Sequence, residues 1–159
     1  MATGRTTYKW TAFYIKPFGG TIRAVPVNSI SACGVTYEEK DPTAWQDAVK
    51  SVLPGMPSAP IDIGGPLDNT AVQASPALSG SIVVLEPLNG AMVPCTLDIQ
   101  IGLQKAWSAG DPQFGMTSSA TSGYICTKFN VDVANSSYTA HFDLFPGSAL
   151  PAWGTAAEV

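Results

Sequence analysis

Residues 93–103 carry the strongest constraint in this chain. Val93, Cys95, Leu97, Ile99, Ile101 and Leu103 are apolar, and Thr96, Asp98, Gln100 and then Gln104 alternate with them. A period of two puts successive side chains on opposite faces, so this stretch predicts a long strand with one buried and one polar face. A half-polar strand belongs in an antiparallel sheet or barrel, because strands of parallel sheets are apolar on both faces.

The last third repeats the pattern as a hairpin. Ile125, Phe129, Val131 and Val133 are read onto one face, opposite Lys128, Asn130 and Asp132. Asn135-Ser136-Ser137 is predicted to turn the chain, since these side chains bond the local backbone. The return strand should bury Tyr138, Ala140, Phe142 and Leu144 and present Thr139, His141 and Asp143. Rougher strands are expected over residues 10–15, 21–32, 34–39, 59–63 and 81–86, with Pro26 forcing a bulge or edge. Gly19-Gly20 and Gly64-Gly65 read as turns, and 15 Gly with 13 Pro fit strands joined by many turns.

One helix is predicted against this background, over about residues 42–53. Asp41 is an N-cap and Pro42 follows in the first turn, where its missing N–H costs nothing. Trp45, Ala48, Val49 and Val52 recur at i, i+3, i+4 and i+7, one apolar stripe expected to pack on the sheet. Pro54-Gly55 ends it. The fold class is therefore mainly β: an antiparallel sandwich or partial barrel with one flanking helix. The 159 residues form a single domain with an N-terminal arm at about 1–9 and a C-terminal tail at about 147–159.

Chemistry is hard to place. The chain has one histidine, His141, and no nucleophile motif, so it reads as a surface or interface residue with no catalytic set around it. No H-x-x-x-H, Cys/His cluster or phosphate-cradling glycine loop is present, so no metal or cofactor is expected. Cys33, Cys95 and Cys126 are widely spaced and read as reduced thiols. A net charge of −4 argues against a nucleic-acid reader. Only 13% of residues are charged, about half the usual share, which suits a surface buried against other copies. The apolar stretch at residues 11–15 is too short for a signal-peptide core, and no segment reaches a membrane span's length.

Three phrases resemble phage tail tube proteins, the major tail proteins of long non-contractile tails. Thr36-Tyr37-Glu38-Glu39-Lys40-Asp41 leads toward Leu53-Pro54-Gly55-Met56-Pro57, like that family's strand, acidic turn, helix and exit. Ala59-Pro60-Ile61-Asp62-Ile63-Gly64-Gly65-Pro66-Leu67-Asp68 resembles its strand ending in glycine, with Leu67 where an aromatic is common. Residues 145–155, closing on Pro151-Ala152-Trp153-Gly154-Thr155, resemble its final strand and tail.

The resemblance implies six copies in a ring, each lending strands to an inner barrel, and rings stacked into a tube. Duplex DNA and a tape-measure protein would pass through the lumen without specific binding. Terminator and distal tail proteins would close the ends, in a virion assembled from protein made in the host cytoplasm. Lumen-facing candidates are Asp98, Gln100 and Gln104 on the long strand, or Asn130, Asp132, Thr139 and Asp143 on the hairpin. The loop at residues 64–79 is a candidate for ring-to-ring contact. The alternatives are a tail terminator or head-decoration sandwich, a monomeric carbohydrate-binding module using Trp107 with Tyr124, and a small hydrolase around His141.

Overall fold

A computed structural model describes residues 10–102 and 107–158. Its strands are β1 (Thr11–Pro17), β2 (Arg23–Val25), β3 (Ser29–Ile30), β4 (Thr36–Lys40), β5 (Leu53–Ser58), β6 (Ile61–Pro66), β7 (Cys95–Ile101), β8 (Gln113–Met116), β9 (Tyr124–Asp132), β10 (Ser137–Leu144) and β11 (Ala152–Gly154), with one helix, α1 (Ser81–Leu85), between β6 and β7. All the strand pairings are antiparallel. The mainly-β expectation holds.

The long alternating stretch forms β7, which organises one half of the molecule. β1 runs beside it from Thr11↔Ile101 to Pro17↔Cys95, and β8 pairs its other edge from Leu97↔Met116 to Gln100↔Gln113. β2 extends this half beyond β1, and β11 beyond β8. The second half runs β9-β10-β6-β3. A single pairing, Cys95↔Tyr124, joins the halves, so the nine-stranded sheet folds over at that point into a sandwich. The apolar faces meet inside: Phe13 of β1 lies against Phe142 of β10, ring centroids 6.0 Å apart. Ile15, Leu97, Ile99, Phe114, Ile61, Ile63, Tyr138 and Ala140 fill the same core. Each Ile, Leu or Phe among them contributes about 1.5–3 kcal/mol by leaving water.

The hairpin β9–β10 forms as predicted, with one correction of register. His141 pairs Lys128 but Phe142 pairs Cys126, so Thr127 is bulged out of the ladder. An extra residue in one strand exchanges its two faces. Tyr124 and Cys126 therefore point inward with Phe129, and Ile125, expected beside Phe129, falls on the opposite side of the strand, where it is still buried (6% exposed). Gly64-Gly65, expected as a turn, continues β6. Backbone comes too close there for a side chain: a Cβ on Gly65 would sit 2.5 Å from the Pro26 carbonyl oxygen. Tyr138 Oη donates to that same oxygen at 2.7 Å.

Two helix expectations fail. Residues 42–52 form turns and irregular chain, not a helix, and Leu53 already belongs to β5; Trp45 is fully exposed (103%) with Ala48, Val49 and Val52 also in solvent. The stretch joins β4 to β5, a two-stranded arm that pairs only with itself. A helix of about twelve residues is marginal in water without a surface for its apolar stripe. Here the Asp41 and Asp47 carboxylates instead bond the nearby Thr43 and Ala44 N–H groups, at 3.0 and 2.8 Å. The actual helix, α1, occupies residues read as a strand, 81–86. A short apolar run, Ile82-Val83-Val84-Leu85, is ambiguous by pattern. Tertiary structure decides it by burying Val84 and Leu85 against the core.

Candidate functional site

The two strand faces predicted to be polar have opposite fates. On β7, Thr96, Asp98 and Gln100 point away from the core but are not in solvent: Asp98 is 0% exposed and Gln100 8%. The chain beyond β11 folds back across them. Thr117 Oγ1 donates to Glu158 Oε2 at 2.7 Å, and the Glu158 N–H and carboxylate both act on Asp98. Beneath this cover, Gln100 Nε2 donates to Asp98 Oδ2 at 2.7 Å, and Gln113 stands opposite Gln100 on β8. Asp98 Oδ1 and Gln113 Nε2 nonetheless make no hydrogen bond of good geometry, so the Gln113 and Glu158 amides approach Asp98 without closing a well-formed bond to Oδ1. Burial pushes the Asp98 carboxyl above its ordinary range, and the Gln100, Gln113 and Glu158 amides only partly oppose this. Asp98 and Gln100, expected on an open polar face, are therefore buried within this chain. Gln104 lies outside the described residues.

The outer face of the β6-β10-β9 half is open. Cross-strand rows place Asp62, His141 and Lys128 together, then Gly64, Thr139 and Asn130, then Pro66, Ser137 and Asp132. Asn130, Asp132 and Thr139 are exposed, and Asp143 is partly so. His141 Nδ1 lies 2.6 Å from Asp62 Oδ1, and its Nε2 lies 3.2 Å from Asp143 Oδ2. Ionised carboxylates only accept, and neutral imidazole has one N–H, so only the protonated ring satisfies both contacts. The Asp62 hydrogen bond, with the Asp143 charge behind it, raises the His141 pKa above 6.5 against a smaller opposing effect of burial. Thr127, released by the bulge, donates to Asp143 Oδ2 at 3.2 Å. Asp132 accepts from Asn135 N–H and Nδ2, closing the hairpin turn and holding its own pKa low. With Asp62, Asp132 and Asp143 against Lys128, the face leans acidic. Asp62 escaped sequence reasoning: it lies 79 residues from His141, and no local pattern links them.

This half also ends in an open edge. β9 is nine residues long, yet among the described residues it pairs, apart from β10, only at Tyr124, so residues 127–132 have no strand partner there on that edge. Its far edge is the two-residue strand β3.

Other candidate features come apart. Tyr124 is fully buried, so Trp107 and Tyr124 form no exposed aromatic platform. Among the described residues no group of three His, Cys, Asp or Glu side chains could hold a metal ion, and no helix is long and apolar enough to cross a membrane. The cysteines are free thiols. Cys95 and Cys126 lie in the core, where burial pushes the Cys95 thiol up to about 12.

No protein-family profile matches the sequence, and no curated protein does. Solved structures do. A chain of the six-fold symmetrised anti-feeding prophage baseplate has a TM-score of 0.57 at 9% identity, covering 97% of both chains. A chain of the cap that terminates that prophage's tube gives 0.57 at 11% identity, covering 98% of this chain and 95% of that one. A chain from the sheath/tube terminator structure of an extracellular contractile injection system gives 0.54 at 13%, covering 97% and 99%. The fold is one shared with these tail-like assemblies.

Proposed function

We propose that this chain is a structural subunit of a phage-tail-like tube, six copies forming a ring and rings stacking around a lumen. The observation that carries this reading is the four-stranded half β9-β10-β6-β3, with a polar outer face and an unpaired edge at β9. A long open edge is a hazard in a monomer, and pairing it with the next copy removes it. Six copies, the symmetry of the baseplate to which the fold is similar, would give about 24 strands. At a spacing of about 4.8 Å and a tilt of about 40°, such a barrel closes at roughly 48 Å between backbones, leaving roughly 35–40 Å inside its side chains.

In this reading the open face carries the lumen residues Asn130, Asp132, Thr139 and Asp143, with Asp62 and His141 beside them. A mildly acidic wall repels duplex DNA, so cargo and tape-measure protein slide without sticking. The particle would be a virion or a tail-like relative, its tube ends closed by other tail proteins.

A second reading has its own support: the similarity to a tube cap and to a chain from a sheath/tube terminator structure fits a terminator, which would form one ring and stop. Negative-stain electron microscopy of the purified protein separates them. Tubes or stacked six-fold rings are expected; single rings would move the assignment to a terminator. A strictly monomeric protein at high concentration would overturn both.

A further inference from the structure

The apolar stripe Trp45, Ala48, Val49 and Val52 is exposed and packs on no part of the core formed by the described residues. Leu53 and Met56 continue the exposure along β5. The stretch has an N-cap, a first-turn proline and a helical period, yet it forms turns on an arm that pairs only with itself. Sequence and single-chain structure disagree here, and the missing term is a packing surface.

Among the described residues the same fold carries a second apolar surface, in a groove. Where β1 and β7 meet β3, the sandwich opens into a groove of about 540 Å³, lined mainly by Val27, Ile30, Cys33, Ile99, Ile101 and Trp153, with no charged side chain in its lining. Its size is that of clefts that enclose bulky apolar groups, typically about 300–1,000 Å³.

We propose that residues 41–52 fold into a helix on assembly and seat this stripe in the groove of a neighbouring copy. The inference rests on the self-assembling reading above. As a helix, the segment would gather Trp45, Ala48, Val49 and Val52 on one side and carry Asp47 and Lys50 to the other, at 100° per residue. An uncharged stripe thus meets an uncharged groove while the charges stay in water. Arm and groove are different surfaces, so the contact is head-to-tail, and each copy both donates an arm and receives one. Such contacts propagate into closed rings or open filaments and do not stop at a dimer. That geometry commits the occupant to a second copy of this chain.

Cys33 gives a direct test, because it lies in the groove and is the least buried thiol. Mild oxidation of assembled Val49→Cys protein should give a ladder of disulfide-linked multimers on a non-reducing gel, since the bridge forms only when the Cα atoms come within about 7 Å. The ladder should vanish when Cys33→Ser is added; the buried Cys95 and Cys126 serve as internal controls. Gln46, exposed and off the stripe, tests the helix: Gln46→Ala should assemble at about fivefold lower concentration than Gln46→Gly, the difference in their helix propensity. Rings without a ladder, or cross-links confined to one chain, would overturn the inference and leave the tube reading standing. A ladder with equal assembly of the two Gln46 variants would overturn the folding step. Absence of assembly at any concentration would remove both the tube reading and this inference.

Discussion

β7 and the β9–β10 hairpin spell the same message in sequence, apolar and polar residues in strict alternation, and the fold treats their polar faces oppositely. On the hairpin, Asn130, Asp132 and Thr139 stand in water. On β7, Asp98 and Gln100 lie beneath the returning C-terminal segment, with two polar atoms left unsatisfied. Alternation reports that two faces differ in polarity, not what lies above the polar one. Glu158 reaches Asp98 on β7 from more than fifty positions away, and no periodicity in residues 93–103 encodes it.

The difference is sharpest under charge substitution. Asp98→Lys should cost about 3 kcal/mol, because it overpacks the covered face and buries a cation that the Glu158 carboxylate only partly offsets. Asn130→Lys, on the open face, should stay within about 0.5 kcal/mol. Urea unfolding midpoints measure both, and equal costs would break the contrast between the faces. Neutralising the buried carboxyl is the next largest effect. A carboxyl whose folded pKa is raised costs stability once the unfolded chain ionises it, so that cost is absent below the ordinary value of 3.8 and grows as pH rises through the folded value. Asp98→Asn should therefore be more stable than the parent at pH 7, by about 1 kcal/mol, with the gain vanishing below pH 3.8. A gain that persists in acid would show that packing, not ionisation, is responsible.

The open face offers the smallest effect and the opposite sign. His141 has a folded pKa above its ordinary 6.5, so its stabilisation is fully present below 6.5 and is lost as pH rises through the folded value. Two exposed carboxylates in water make this roughly 0.5 kcal/mol. His141→Gln should remove that slope and leave stability above it unchanged, read from thermal unfolding at a series of pH values.

Much of the fold was legible because alternation survives in any antiparallel context. The sheet class, β7 and both hairpin strands followed from it, as did the inward set Tyr138, Ala140 and Phe142. Legibility ended where a residue's state depends on a distant partner. The Thr127 bulge moved Ile125 to the outer face, and a bulge leaves no mark on composition. Asp62 reached His141 only through the β6–β10 pairing. The 42–53 stripe had every local sign of a helix except something to pack on.

The sequence by itself determined that this chain is an antiparallel β protein with half-polar strands and an apolar stripe at helical spacing over residues 45–52. Those properties are written in nearest-neighbour patterns, and backbone geometry reads them directly. Tertiary structure alone decided which polar face meets water, where α1 forms, and which edge and groove stay open among the described residues. Each depends on what other segments cover, and burial is a property of the whole chain rather than of any stretch within it.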